Sequence, residues 1–157
     1  MVRSRAAVTI AAALLISACT GEAPSAGQLD EPYYSSAAAL DAATGTVIRG
    51  EVTSVSDAGI GDGSALAEVT VLATAKGGPS LSAQVEFFPE GAGTPISSPL
   101  EAGQEYVLLL SSVGDHDGLV NSTQGWYLVQ DGLAEAGPEN RVLLPDDWAE
   151  ALGVASH

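Results

Sequence analysis

The chain has 157 residues, of which 20 are acidic and five are basic, so its formal net charge at pH 7 is −15. Because binding to phosphate groups requires clustered lysine and arginine side chains, this charge argues against nucleic acid as a partner and against direct adsorption to an anionic membrane surface. The chain contains one cysteine, which excludes an internal disulfide, so a folded domain must depend on its hydrophobic core.

The first 18 residues have the three-part layout of a secretory signal peptide. Arg3 and Arg5 form a basic start, and an apolar run over residues 6–18 follows. A spanning helix needs about 20 apolar residues, so this run is too short to cross a bilayer. Small residues end the run, and Cys19 comes directly after them. We therefore expect residues 1–18 to be removed on export.

The tetrapeptide Ile16-Ser17-Ala18-Cys19 resembles the lipobox of bacterial lipoproteins. This resemblance implies cleavage before Cys19, a thioether-linked lipid on its sulfur and often a further fatty acid, such as palmitate, on the new amino terminus. Several acyl chains are needed for a stable anchor because a single chain binds a membrane only weakly. The competing interpretation is a cysteine that lies by chance near an ordinary cleavage site, which would leave a free exported thiol.

Residues 19–34 are predicted to be a flexible tether, since they contain glycine, proline, serine and acids without apolar periodicity. A single β-rich domain is predicted over residues 35–157. It begins with a short helix over residues 35–45, which is capped by Ser35 or Ser36 and places Leu40 against the first strand.

Short segments with β-type composition, divided by turn residues, follow this helix. Apolar and polar residues alternate in two of them, 65–75 and 81–88, which predicts strands with one buried face. Segment 104–113 is apolar through its centre, as expected for a strand that is buried on both faces or closes a barrel. A second short helix is predicted over residues 145–153. The predicted strands are 46–55, 65–75, 81–88, 104–113, 125–132 (a strand with the turn that follows it) and 141–144.

This pattern predicts a mainly β fold, either a small five- to six-stranded antiparallel barrel (OB-like) or a sandwich, with short flanking helices. The strand order over residues 45–132 is similar to small exported domains of the OB-fold and netrin-like kind. In some netrin-like domains function rests on a free N-terminal cysteine and disulfides. That mechanism cannot be transferred, because Cys19 is expected to be acylated and is the only cysteine.

The segment "DHDG" contains the best candidate for a cation loop, in which Asp115 and Asp117 flank His116. A calcium loop requires six or more oxygen ligands at alternating positions, and Leu119 and Val120 do not continue that pattern. A polar turn is therefore the favoured interpretation. We expect no metal ion and no cofactor.

Catalytic constellations are sparse in this sequence. His116 is the only imidazole apart from the terminal His157, and no serine lies in a G-x-S-x-G elbow. Glu105 is the one acid that enters an apolar strand, where an outward-facing strand end is favoured over a catalytic acid. We therefore predict no catalytic residue. The triplet "NST" at 121–123 matches a glycosylation acceptor, which we regard as coincidental.

Trp126 and Tyr127 are candidates for stacking on a sugar or a peptide if they lie on an open face of the barrel. Alternation along a strand sends the two rings to opposite sides, so one of them is expected in the core.

The expected function is that of a non-enzymatic surface lipoprotein. It would be held at the outer face of the cell membrane through lipid on Cys19, and it would bind an unknown protein or small ligand. Two alternatives remain open: an envelope hydrolase of unknown substrate, and a structural or charge-presenting lipoprotein.

Overall fold

The computed structural model of the protein describes residues 31–59, 63–78, 80–89, 98–114 and 116–156. The predicted signal peptide, Cys19 and residues 20–30 of the predicted tether lie outside the described residues. The described residues form two helices, α1 (Ala37–Ala43) and α2 (Asp146–Leu152). The strands are β1 (Thr46–Asp57), β2 (Ala65–Lys76), β3 (Ser82–Phe87), β4 (Glu105–Val113), β5 (His116–Leu119), β6 (Trp126–Gln130), β7 (Leu133–Ala136) and β8 (Ala155–Ser156).

Five strands close into a barrel in the order β1-β2-β3-β5-β4, with β4 pairing back onto β1. Four of the five contacts are antiparallel. The fifth is parallel and joins β3 to β5, with Val85 opposite Asp117 and Glu86 opposite Gly118. A closed ring with an odd number of strands must contain a parallel pair, because alternating directions cannot close on themselves. The predicted mainly β fold is confirmed, and of the two predicted architectures the structure has the small barrel with short flanking helices, with one parallel pair in an otherwise antiparallel ring.

The strand that completes this barrel is β5, in a segment predicted to be a polar turn. Gly114 turns the chain with a φ of 63°, and His116–Leu119 then pairs with β4 on one side and β3 on the other. The predicted polar turn is therefore wrong at these positions. A four-residue strand with one large apolar residue carries too little periodicity to be recognised, and it is held by the two strands beside it.

The aromatic strand β6 lies outside the barrel and begins a side sheet. Residues 105–108 of β4 pair with β6, whereas residues 110–113 of the same strand pair with β5. Asp131 and Gly132, with φ of 52° and 77°, then form the tight turn to β7, as a two-residue hairpin requires.

Segment 141–144 was predicted to be a strand and is irregular in the structure. Val142 and Leu144 are buried while Arg141 and Leu143 are exposed, so the alternation is present. The Val142 N–H donates to Asn140 Oδ1, and the Val142 carbonyl accepts from the Tyr127 hydroxyl. These side-chain partners take the place of a strand ladder.

Two hydrophobic clusters share β4 as their common wall. Its buried residues alternate, and Tyr106, Leu108 and Leu110 belong to one cluster with Ile48 and Phe87, inside the barrel. Val107 and Leu109 belong to the other cluster, between the barrel and both helices. The prediction that this strand is buried on both faces is confirmed. The second cluster also contains Leu40, Val47, Tyr127, Val129, Ala134, Val142, Leu144, Trp148, Ala149 and Leu152.

Both predicted helices are present. Ser36 Oγ accepts from the Ala39 N–H at 3.2 Å and caps α1, and Leu40 is fully buried. Helix α1 ends at Ala43, and its C-cap is Thr44, one residue before the expected Gly45. Helix α2 ends at Leu152, and its C-cap Gly153 has the left-handed conformation. In the part of the chain that the structure describes, no helix has the length and apolar character required to cross a membrane.

Candidate functional site

Residues 31–34, which we call the strap, lie within the range assigned to the tether by sequence and are packed against the turn at 121–124. Gln124 is fully buried in this turn. Its side-chain amide donates to the Tyr34 carbonyl and accepts from the Tyr34 N–H, each at 2.8 Å. The Gln124 side-chain amide thus pairs with both backbone groups of Tyr34, as the backbone of a neighbouring β-strand would.

The rest of the turn binds the other half of the strap. Asn121 Nδ2 donates to the Pro32 carbonyl at 2.9 Å. The carboxylate of Glu31 accepts from the Ser122 N–H at 2.8 Å and from the Ser122 hydroxyl at 2.7 Å. Hydrogen bonds to a charged acceptor are stronger than those between neutral groups. Together with the pair at Gln124, these contacts give the strap five hydrogen bonds to the turn.

Asn121 also builds the turn itself. Its Oδ1 accepts from the Thr123 N–H at 2.8 Å, from the Thr123 hydroxyl at 2.9 Å and from the Gln124 N–H at 2.9 Å. Asn121 is only 4 % exposed, and its Nδ2 is engaged by Pro32. The "NST" triplet therefore serves a structural role in the fold, and its amide nitrogen does not face solvent as a glycosylation acceptor would.

A cleft of about 560 Å³, which we call the strap cleft, lies between the strap and the loop that leads from β7 to α2. Its volume is within the range of small-ligand pockets, which is roughly 300–1,000 Å³. It combines aromatic, apolar and charged side chains. The lining residues are Tyr33, Tyr34, Ser35, Pro138, Glu139, Arg141 and Val142.

Arg141 differs from the other two cations of the described residues. Arg49 pairs with Glu105 and donates to the carbonyls of Leu152 and Gly153, which ties the barrel to the end of α2. Lys76 pairs with Asp41 and ties β2 to α1. No carboxylate of the described residues lies within 4.0 Å of the Arg141 guanidinium, which is exposed at the strap cleft. Its positive charge is therefore available to a ligand.

A second cleft, of about 290 Å³, is lined in part by the first residue of the strap. Glu31 and Ser122 contribute to it, together with Glu86 and Phe88. Glu86 also contacts His116, with 2.9 Å between Oε2 and Nε2, across the parallel closure of the barrel. The strap thus contributes residues to both clefts.

The aromatic pair that the sequence singled out for ligand stacking is in the core. Trp126 is 7 % exposed and belongs to the barrel interior, whereas Tyr127 is 1 % exposed and belongs to the outer cluster. Alternation therefore separates the rings as predicted, but neither lies on an open face, which was the condition for stacking. The Trp126 indole donates to the Ser122 carbonyl, and burial raises the pKa of Tyr127 above its usual value of 10.0.

The other predicted positions are distributed as follows. Asp117 is half-buried in β5, and Asp115 lies outside the described residues, as does Cys19. No group of three or more His, Cys, Asp or Glu side chains within the described ranges is arranged to hold a metal ion. Glu105 is paired with Arg49 at the end of β4.

Sequence reasoning did not identify Tyr33, Tyr34, Gln124 and Arg141 as residues that build a site. One signal was present: two adjacent tyrosines at the end of a segment that is otherwise rich in glycine, alanine, proline, serine and acids. Aromatic side chains in such a segment favour docking onto a folded surface. Comparison of the chain with protein-family models, with curated proteins and with solved structures finds no match.

Proposed function

We propose that this protein is a lipid-anchored binding module, held at the outer face of the cell membrane through acyl chains on Cys19. The observation that carries the anchor is the sequence Ile16-Ser17-Ala18-Cys19 directly after a basic start and a short apolar run. The strong acidity of the chain supports the lipid as its membrane contact, because an anionic surface repels it.

The binding role is supported by the position of the two clefts. The strap is the last part of the predicted tether, and it contributes Tyr33 and Tyr34 to one cleft and Glu31 to the other. Its five hydrogen bonds to the 121–124 turn keep these residues in place. A tether attached at this point presents both clefts near the base of the domain, where ligands of the envelope are encountered.

The anchor is tested by expressing the full-length chain in a bacterium fed an alkyne-labelled fatty acid. The native chain and a Thr20→Ser control should carry label and sediment with membranes. Cys19→Ser should carry no label and should leave the membrane fraction, because no other side chain accepts the thioether. An unlabelled native chain, or a Cys19→Ser chain that still sediments with membranes, would refute the anchor.

A further inference from the structure

We propose that the strap cleft binds the C-terminal end of a short peptide, with the terminal carboxylate on Arg141 and the last side chain against Tyr33 and Tyr34. This names the ligand class of the binding module and rests on the function proposed above. Three observations support it: an arginine without an ion-pair partner among the described residues, an aromatic wall beside it, and the charge of the whole chain.

The guanidinium of Arg141 supplies the recognition of the carboxylate. A planar guanidinium presents parallel N–H donors that match the two oxygens of a carboxylate. Arg49 and Lys76 are both occupied by acids of the fold, while Arg141 lines the cleft. Arg141 is therefore the one of the three described Lys and Arg side chains that no described carboxylate pairs, in a chain with 20 acidic residues.

Two tyrosines and two apolar residues form the walls beside this cation. Tyr33 is 56 % exposed, and its hydroxyl approaches the Glu139 carbonyl at 3.4 Å, which places its ring at the loop that carries Arg141. Pro138 and Val142 contribute apolar surface to the same cleft. An aliphatic or aromatic side chain next to the ligand carboxylate would pack on these walls, since tyrosine rings offer large apolar faces.

Charge decides which carboxylate ligands are accepted. Glu139 lines the same cleft and is not ion-paired with Arg141 in the described structure, so an ammonium or a basic side chain of the ligand would find a partner there. The net charge of the chain repels ligands with several negative groups. A peptide end with one carboxylate and a neutral or basic remainder satisfies both conditions, whereas a phosphorylated or acidic segment does not.

The test uses the full-length chain in non-ionic detergent and fluorescence anisotropy. The probe is the pentapeptide Gly-Lys-Ala-Ala-Leu with a neutral fluorophore on its amino terminus, prepared with a free carboxylate and as its C-terminal amide. The free acid should bind about tenfold more tightly, equivalent to about 1.4 kcal/mol. Replacing lysine by aspartate in the probe should weaken binding.

Variants assign the effect to the cleft. Arg141→Ala should abolish the difference between acid and amide, whereas Gln130→Glu should retain it. The second variant changes the net charge by the same amount at an exposed position that does not line the cleft. Tyr33→Ala should weaken both probes, while Tyr33→Phe, which retains the ring, should not. If Arg141→Ala fails to fold, the comparison of the acid and amide probes on the native chain still shows whether the protein recognises a terminal carboxylate.

The proposal is overturned if the acid and the amide bind alike, if Arg141→Ala behaves as Gln130→Glu does, or if the free-acid probe shows no binding up to about 1 mM. A Cys19→Ser chain should bind the probe as the native chain does. A native chain that carries no lipid but distinguishes the acid from the amide would refute only the anchor. A lipid-bearing native chain that binds the acid and the amide alike would refute only the peptide.

Discussion

Replacing Gln124 by alanine should detach the strap from the domain. The Gln124 side chain supplies the partner for both the N–H and the carbonyl of Tyr34, and it is fully buried. Truncation leaves these two backbone groups unpaired, and each unsatisfied buried group costs about 1–3 kcal/mol. Tyr34 is half-buried, so water can reach part of the gap. We therefore expect the free energy of unfolding to fall by about 2–4 kcal/mol.

Urea unfolding of the full-length chain measures this loss, with Gln130→Ala as the matched control. Gln130 is exposed in β6, and the same truncation there should change stability by less than about 0.5 kcal/mol. The dependence of the unfolding free energy on urea concentration should be the same in both variants, because each exposes the surface of the same barrel when it unfolds. Hydrogen exchange adds a local readout, since the Tyr34 amide should lose its protection in Gln124→Ala.

Two results would show that the strap does not depend on this side chain. One is a Gln124→Ala midpoint indistinguishable from that of Gln130→Ala. The other is a Tyr34 amide that exchanges as slowly in the variant as in the native chain. Either result would place the attachment of the strap elsewhere, in the contacts of Glu31 and Asn121.

Two further predictions concern the barrel and its alkaline stability. Gly50→Ala should lower the free energy of unfolding by about 1–3 kcal/mol, because a Cβ there would lie 2.5 Å from Val69 Cγ1 and 2.8 Å from a backbone oxygen of β2. Gly78→Ala is the control, since a Cβ at that position has no neighbouring atom within 4 Å. Equal urea midpoints for the two variants would contradict the close approach at Gly50. Burial raises the pKa of Tyr127, so the folded chain retains a proton that the unfolded chain releases, and stability should fall as the pH rises above about 10. In Tyr127→Phe this alkaline decline in the urea midpoint should be shallower, and an unchanged decline would show that Tyr127 does not cause it.

Much of the fold could be predicted from local patterns. Strand β4 was recognised as buried on both faces because a continuous apolar run leaves no solvent-facing position. Both helices were recognised from their caps and from Leu40, Trp148 and Leu152, all of which are buried. In each case the pattern spans about ten neighbouring residues, because the backbone geometry of a strand or helix determines which side chains share a face.

The site could not be predicted in the same way. Gln124 and Asn121 are buried polar residues in a turn, and their side chains bind the strap, which lies about 90 positions earlier in the chain. Arg141 is distinguished from Arg49 by the absence of a nearby carboxylate among the described residues, which is a fact of distance in space. Trp126 and Tyr127 are large aromatics in a strand, and their burial depended on whether other elements cover both faces of the side sheet.

The sequence by itself determined the two helices and the alternating faces of β2 and β3, and it alone predicts the export signal with its cysteine. Each of these is encoded by neighbouring residues. Only the tertiary structure decided that the short strand β5 closes the barrel in parallel with β3, that the strap belongs to the folded domain, and that Arg141 faces a cleft. The physical reason is that hydrogen-bond partners and charge neighbours are set by segments far apart in the chain, whereas the orientation of a side chain within its own element is set locally.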